Sequence, residues 1–300
     1  MPEGDARVHA RQPAARRILR RMWREAVSDR ISLVAAGCAF YALLALFPAI
    51  SLLVNVYGLV FDPRTVEPQL EFIRRFLTAD TYALIDARLR DLVATERPQL
   101  EAGAVVSALI AFWSAGAGVR GMLGALNMAF DSDEERGFLA FHLTALMLTM
   151  GAILATVLGI AVLVFLPQAL ALIGVPTRGQ LTLRVVSFAL LYAFAVIAIA
   201  MLYRFGPARP LPGWRLFSPG ALFAASAWLA ASALFSIYVS HWASYDSMYG
   251  PLGAAVGLLM WFYITVFLVL LGAELDSECM AVKAEHLGNR PPVAGVAGAS

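Results

Sequence analysis

The chain reads as an all-α polytopic membrane protein: six transmembrane helices, a basic amphipathic helix ahead of the first, and a helical insertion after it. Three observations predict this class. Of 300 residues, 60% are hydrophobic and only 15% charged, well below the quarter or so charged in soluble domains. The mean hydropathy is +0.72. Six apolar runs, at 31–61, 102–119, 138–165, 185–205, 219–242 and 249–273, come close to or exceed the roughly 20 residues a helix needs to cross a bilayer. They leave no stretch for a separate soluble core, so the organisation predicted is a basic N-terminus (1–30), one membrane domain (31–278) and a disordered tail (279–300).

Residues 1–12 are polar and read as disordered, whereas 14–30 has Ile18, Leu19, Met22 and Trp23 on one side of a helix rich in arginine. Such a helix lies on an anionic leaflet. The same arginines suit a cytoplasmic flank so well that nucleic-acid binding is not called for. The run at 31–61 is too long and too far from the start for a signal-peptide core. At 1.5 Å per residue it would be about 46 Å long, against about 30 Å of hydrocarbon. Pro48 offers a kink.

Between 62 and 99 the apolar residues thin to a helical spacing, Val66, Leu70, Ile73 and Leu77, then Leu89 and Leu92, predicting two amphipathic helices on the outer face. The run at 102–119 is short, so its helix is expected to continue past Arg120 to Phe130. Gly116, Arg120, Gly124 and Asn127 recur at i, i+4, i+8 and i+11, along one side. An arginine between glycines has little cover, and a charge at mid-membrane costs at least about 3 kcal/mol. It requires a partner, a water cavity or the interface. Two readings stay open: an interfacial anchor, or a buried charge that pairs with a carboxylate or an anionic ligand.

The runs at 138–165 and 185–205 are ordinary spans joined by a loop with Pro167, Gly174, Pro176 and Gly179. After Tyr203 the connector carries Arg204, Arg209 and Arg215 among prolines and glycines, without an acid. The last two runs form a hairpin. Ala221, Ala225, Ser232, Ser236 and Ser240 make a small-residue face on one helix, and Gly250, Gly253 and Gly257 make another on the next, with a GxxxG at 253–257, so close contact is expected there. The acids Glu274, Asp276 and Glu278 close the hairpin.

Charge placement orients the chain. With the N-terminus inside, 15 of the 23 Lys and Arg fall on the inner side, so both termini are expected in the cytoplasm. Cys38 and Cys279 lie far apart in the pattern, and no CxxC or Cys/His cluster suggests a metal or a cofactor.

Several stretches together resemble the YihY/virulence factor BrkB family of bacterial inner-membrane proteins. They are the run 39–48 ending in Phe47-Pro48, Phe112-Trp113-Ser114 with Val119-Arg120 and Ala125-Leu126-Asn127, Pro219-Gly220, 240–245, Tyr249-Gly250 to Gly253, and Gly272-Ala273-Glu274-Leu275. The resemblance spans 16–278. Asp246 and Asp276 stand where the family pattern would have Asn, so any role that needs the amide donor is lost at those positions.

The resemblance implies a six-helix protein of the inner membrane without a settled activity, some members carrying a ribonuclease label and others linked to envelope lipid movement. A ribonuclease needs acid and base groups or a metal on a wet surface, whereas His9, His142, His241 and His286 are scattered. We therefore expect no enzyme. The leading expectation is a translocator of lipid or another anionic envelope compound. Its substrate or charge-pair residues would be Arg120, Asn127, Glu274, Asp276 and Arg204, with Arg120 holding an anionic headgroup or pairing to Glu274 or Asp276, and Arg204 neutralising the same acids near the cytoplasmic boundary. Pro48, Gly116, Gly124, Gly253 and Gly257 would supply the kink and the helix packing. The competing expectation is a non-catalytic scaffold that engages membrane lipids and an envelope protein partner.

Overall fold

The computed structural model describes residues 14–60, 97–172, 180–208, 216–241 and 252–286. Among them are seven helices and no strand: α1 Ala14–Ser28, α2 Ile31–Val60, α3 Arg97–Ala129, α4 Phe138–Leu172, α5 Gln180–Phe205, α6 Pro219–His241 and α7 Leu252–His286. Six, α2 to α7, are long and apolar enough to cross a membrane. The amphipathic helices expected between 62 and 99 fall on residues outside the described ones, except for 97–99, which form the first turn of α3. Asp246, Gly250 and most of the basic connector after α5 also lie outside them.

Several helices run further than their apolar runs. α4 continues to Leu172, so Pro167, expected in the loop after it, lies inside the helix, and α5 begins at Gln180. α3 passes Arg120 and ends at Ala129, as expected, because only glycines interrupt it and a helix tolerates them; it starts at Arg97, five residues ahead of the apolar run. α7 does not stop at its acids but continues to His286, so the first residues of the expected tail, 279–286, are helical. The reason lies in α1, which packs against this end of α7. α1 buries Met22 and Ala26 in the core, while Leu19 and Trp23 remain exposed.

Both turns that flank the acid-bearing end are closed by residues other than glycine in the left-handed region, Arg30 (φ 51°) and Asp131 (φ 47°). At the end of α3 the Ser132 N–H bonds to Asn127 O at 2.8 Å and the Asp131 N–H to Met128 O at 3.0 Å. This is a Schellman cap, with Asp131 where glycine usually stands.

Contacts divide the chain into two compact units, Met1–Ala39 with Gly118–Ser300, and Phe40–Ala117. The second unit holds most of α2, with Pro48 inside the helix, and the first part of α3. Within this unit the two helix segments meet at a polar seam: Ser107 Oγ of α3 donates to Ser51 Oγ of α2 at 3.0 Å, while Asn55 Nδ2 donates back to Ser51 O of its own helix at 2.7 Å and Gly103 leaves room for the Asn55 amide. Hydroxyl bonds between helices, as from Ser107 to Ser51, join them where water is absent. The first unit contains the remaining helices, with α7 packed on α6 and α1, and α5 on α4 and α6. Its core is built on Leu126, Val196, Tyr203, Ala221, Ala224, Ala225, Leu270 and Ala273.

Candidate functional site

In a helix, residues four apart share a face and residues two apart do not. Gly272 and Asp276 therefore lie on one side of α7, and Glu274 and Glu278 on another. The Gly272 side meets α6 backbone to backbone. A Cβ on Gly220 would overlap the Gly272 carbonyl and stand 2.6 Å from the Asp276 carboxyl carbon, and one on Gly272 would stand 2.6 Å from the Tyr203 hydroxyl. The first turn of a helix has N–H groups without intrahelical partners. Here Ser218 Oγ accepts from Ala221 N at 3.1 Å, and Asp276 Oδ1, from the neighbouring helix, accepts from Gly220 N at 2.6 Å. Asp276 also bonds the Ser218 side chain. Tyr203 donates its hydroxyl to Val269 O. All the buried polar groups of this contact are satisfied within the protein.

The other side of α7 is different. Glu274 is 2% exposed, and its Oε1 has no hydrogen-bond partner. Four further carboxylates are within electrostatic reach of it: Asp29, Glu25, Asp131 and Glu278. Glu25 comes from α1, Asp29 from the turn after it, and Asp131 from the cap of α3. Glu278 is paired with Arg21 at 3.8 Å. Burial, then Glu25, then Asp131 raise the Asp29 carboxyl above its ordinary range, and burial followed by Glu25 does the same to Asp131. Among the described residues no cation is paired with Glu274.

The other predicted site residues separate. Arg120 is half-buried within the span Glu101–Ala129, and makes no side-chain hydrogen bond or ion pair among the described residues. It is not brought to Glu274 or Asp276, so the expected pairing of these residues is not formed. Asn127 is 6% exposed and has both ends of its amide engaged: Nδ2 donates to Glu134 Oε2 at 2.7 Å, and Oδ1 accepts from Ala208 N at 2.7 Å. Arg136 completes this network, donating to Glu134 at 2.7 and 2.8 Å and to Gly206 O at 3.1 Å. The bonds from Arg136, helped by the one from Asn127, hold the Glu134 carboxyl below its usual range. Asn127 thus clasps the α3–α4 turn to the end of α5. Arg204 is half-buried in the last turn of α5.

Packing also falls elsewhere than expected. Gly116 and Gly253 are buried, but a Cβ on Gly124 or Gly257 would have nothing within 4 Å. These two are not close-contact glycines, a correction to the expected packing face. The backbone contact is made instead by Gly220 and Gly272, because α6 and α7 converge at the end where Asp276 caps α6. Glu25, Asp29 and Asp131 are the site residues that sequence reasoning missed. Their signal was positional: the expected topology puts the N-terminal helix, the connector after α3 and the end of α7 on one side of the membrane.

A family model described as Virulence factor BrkB matches residues 22–294. Among curated proteins, the chain is 27% identical over 247 residues to a ribonuclease-like protein, YfkH, of Bacillus subtilis (strain 168), covering 81% of this chain and 88% of that protein. It is 26% identical over 264 residues to a UPF0761 membrane protein of Aeromonas salmonicida (strain A449), covering 84% and 85%. It is 28% identical to a UPF0761 membrane protein of Azotobacter vinelandii (strain DJ / ATCC BAA-1303), where the match covers 80% of this chain but 58% of that longer protein. No solved structure matches. The chain belongs to the Virulence factor BrkB family of membrane proteins.

Proposed function

We propose that this multi-pass protein of the Virulence factor BrkB family translocates an anionic envelope compound, a lipid with an anionic headgroup in the first instance, across the bacterial inner membrane, with both termini in the cytoplasm. The observation that carries the reading is Arg120. Nine residues, about 14 Å of helix, separate it from the end of α3 at Ala129. Its guanidinium has no counter-charge among the described residues, and an ionised side chain at such a depth calls for an anion or water. A guanidinium presents a planar fork that matches phosphate geometry.

The ribonuclease-like name of one relative does not carry over on this reading. Among the described residues no three His, Cys, Asp or Glu are grouped to hold a metal, and the His142 ring bonds to the carbonyl of Phe138 in its own helix. The scaffold reading has one observation in its favour: Leu19, Trp23 and Val27 form an exposed apolar line on α1, at 52%, 59% and 65% exposure.

The test is reconstitution of the full chain in vesicles containing a fluorescent phosphatidylglycerol, with transfer read by quenching from outside. The wild type should move the lipid. Arg120→Ala should be at least tenfold slower at equal incorporation, and Arg120→Lys intermediate, since the charge stays and the fork is lost. Transfer by Arg120→Ala at the wild-type rate would overturn the reading. The scaffold reading instead predicts that removing residues 1–24 abolishes the cellular phenotype while Arg120→Ala leaves it intact.

A further inference from the structure

A carboxylate is an acceptor that a fold buries only with donors in place. Asp276 obeys this rule, and Glu274 does not. Its Oε1 is buried and unbonded, and the groups that face it are of its own sign: Glu25 from α1, Asp29 from the α1–α2 turn, Asp131 from the end of α3 and Glu278 from its own helix. The cations of this region are spoken for or turned away: Arg21 is held by Glu278, Arg24 pairs with Glu25 at 3.1 Å, Arg30, beside Asp29, is exposed, and Arg17 on α1 makes no ion pair with Glu274 among the described residues. Three separate segments thus bring negative charge within electrostatic reach of one buried carboxylate. A structural carboxylate would be surrounded by donors; an arrangement of acceptors is what a cation selects.

We propose that Glu274, with Glu25, Asp29 and Asp131 around it, is the binding site for one small monovalent cation, a proton or an alkali-metal ion. The size follows from burial, since Glu274 is 2% exposed. The charge follows from the geometry: the acids surround the site without converging, and among the described residues no three are grouped as a multidentate metal site requires. One free oxygen suffices for a proton, and an alkali ion could add backbone carbonyls. The site deepens the translocator reading by naming the ion that drives it, and rests on that reading for the coupling alone. Binding itself is independent of it.

The experiment uses the purified full chain in lipid nanodiscs and follows the unfolding midpoint by tryptophan fluorescence. Conditions are sodium, potassium or choline chloride at equal ionic strength, between pH 5.5 and 8.5. A ligand that binds the native state stabilises it by mass action, so the wild-type midpoint should follow the occupant. A rise with sodium or potassium over choline identifies an alkali ion, whereas a pH dependence identical in all three salts identifies a proton.

Glu274→Gln, nearly isosteric, should remove that dependence while keeping the contributions of every other titrating group. Asp29→Asn, at a half-buried position of the cluster, should weaken cation binding about tenfold. A wild-type midpoint indifferent to all conditions, or the same dependence in Glu274→Gln, overturns the site. Cation dependence intact in a protein that moves no lipid breaks the translocator reading alone. Lipid transfer without cation dependence breaks the site alone.

Discussion

Glu274 and Asp276 stand two residues apart on α7, both almost wholly buried at 2% and 6% exposure, and their surroundings are opposite. Asp276 faces α6, where two glycines bring backbones into contact and its carboxylate takes up the Gly220 N–H left over by the helix start. Glu274 lies on the other side, and the carboxylates within electrostatic reach of it come from α1, the turn after it and the end of α3, with Glu278 from its own helix. The contrast separates two uses of a buried charge. One completes a contact and belongs to the frame; the other has nothing in the frame to complete. The same division recurs three residues apart in the α3–α4 turn, where Arg136 holds Glu134 low while burial and Glu25 hold Asp131 high.

The largest effect should come from breaking the frame side. Gly220→Ala sets a methyl group against the Gly272 carbonyl and the Asp276 carboxylate, and neither backbone can give way without separating α6 from α7. Overpacking of this kind costs about 1–3 kcal/mol or more, so loss of folded protein in size-exclusion profiles is expected. Gly257→Ala, with open space around the new methyl, should behave as wild type. Equal behaviour of the two variants would mean that the Gly220 contact does not hold the hairpin together.

A smaller effect sharpens the comparison at the α3–α4 turn. Because the folded pKa of Glu134 is lowered, its contribution is present above the unfolded value of about 4.3 and is lost as pH falls through the folded one. Glu134→Gln should therefore lose about 0.5–1 kcal/mol at neutral pH, the worth of a partly exposed ion pair. The gap to wild type should close as the solution is acidified below about pH 4. A gap that stays constant with pH would show that the pair with Arg136 contributes nothing by its charge.

Much of the fold was legible in the sequence because membrane helices advertise themselves by length and apolarity, and all six apolar runs became helices. Asn127 and Arg120 stood out for the same reason, as polar groups in apolar text. What stayed hidden depends on contacts between distant segments. A glycine stripe at 253–257 looks like a packing face in one dimension, but only the meeting of α6 and α7 reveals that Gly220 and Gly272 make the contact. The acids at 25, 29, 131 and 274 carry no shared spacing. They become a cluster because α1 folds back on α7 and because α3 ends in a left-handed residue that is not glycine, a cap the sequence does not announce.

The most direct test of the contrast is to remove each acid of α7 and compare unfolding midpoints side by side at neutral pH in nanodiscs. Asp276→Ala should cost about 1–2 kcal/mol, since it strips a helix start of its acceptor and leaves a buried N–H unpaired. Glu274→Gln, compared in choline chloride where no alkali ion is bound, should cost nothing or stabilise, since Glu274 completes no contact that an amide of the same size would lose. A loss in Glu274→Gln as large as that in Asp276→Ala would place Glu274 in the frame and contradict the division of α7 into a structural face and a binding face.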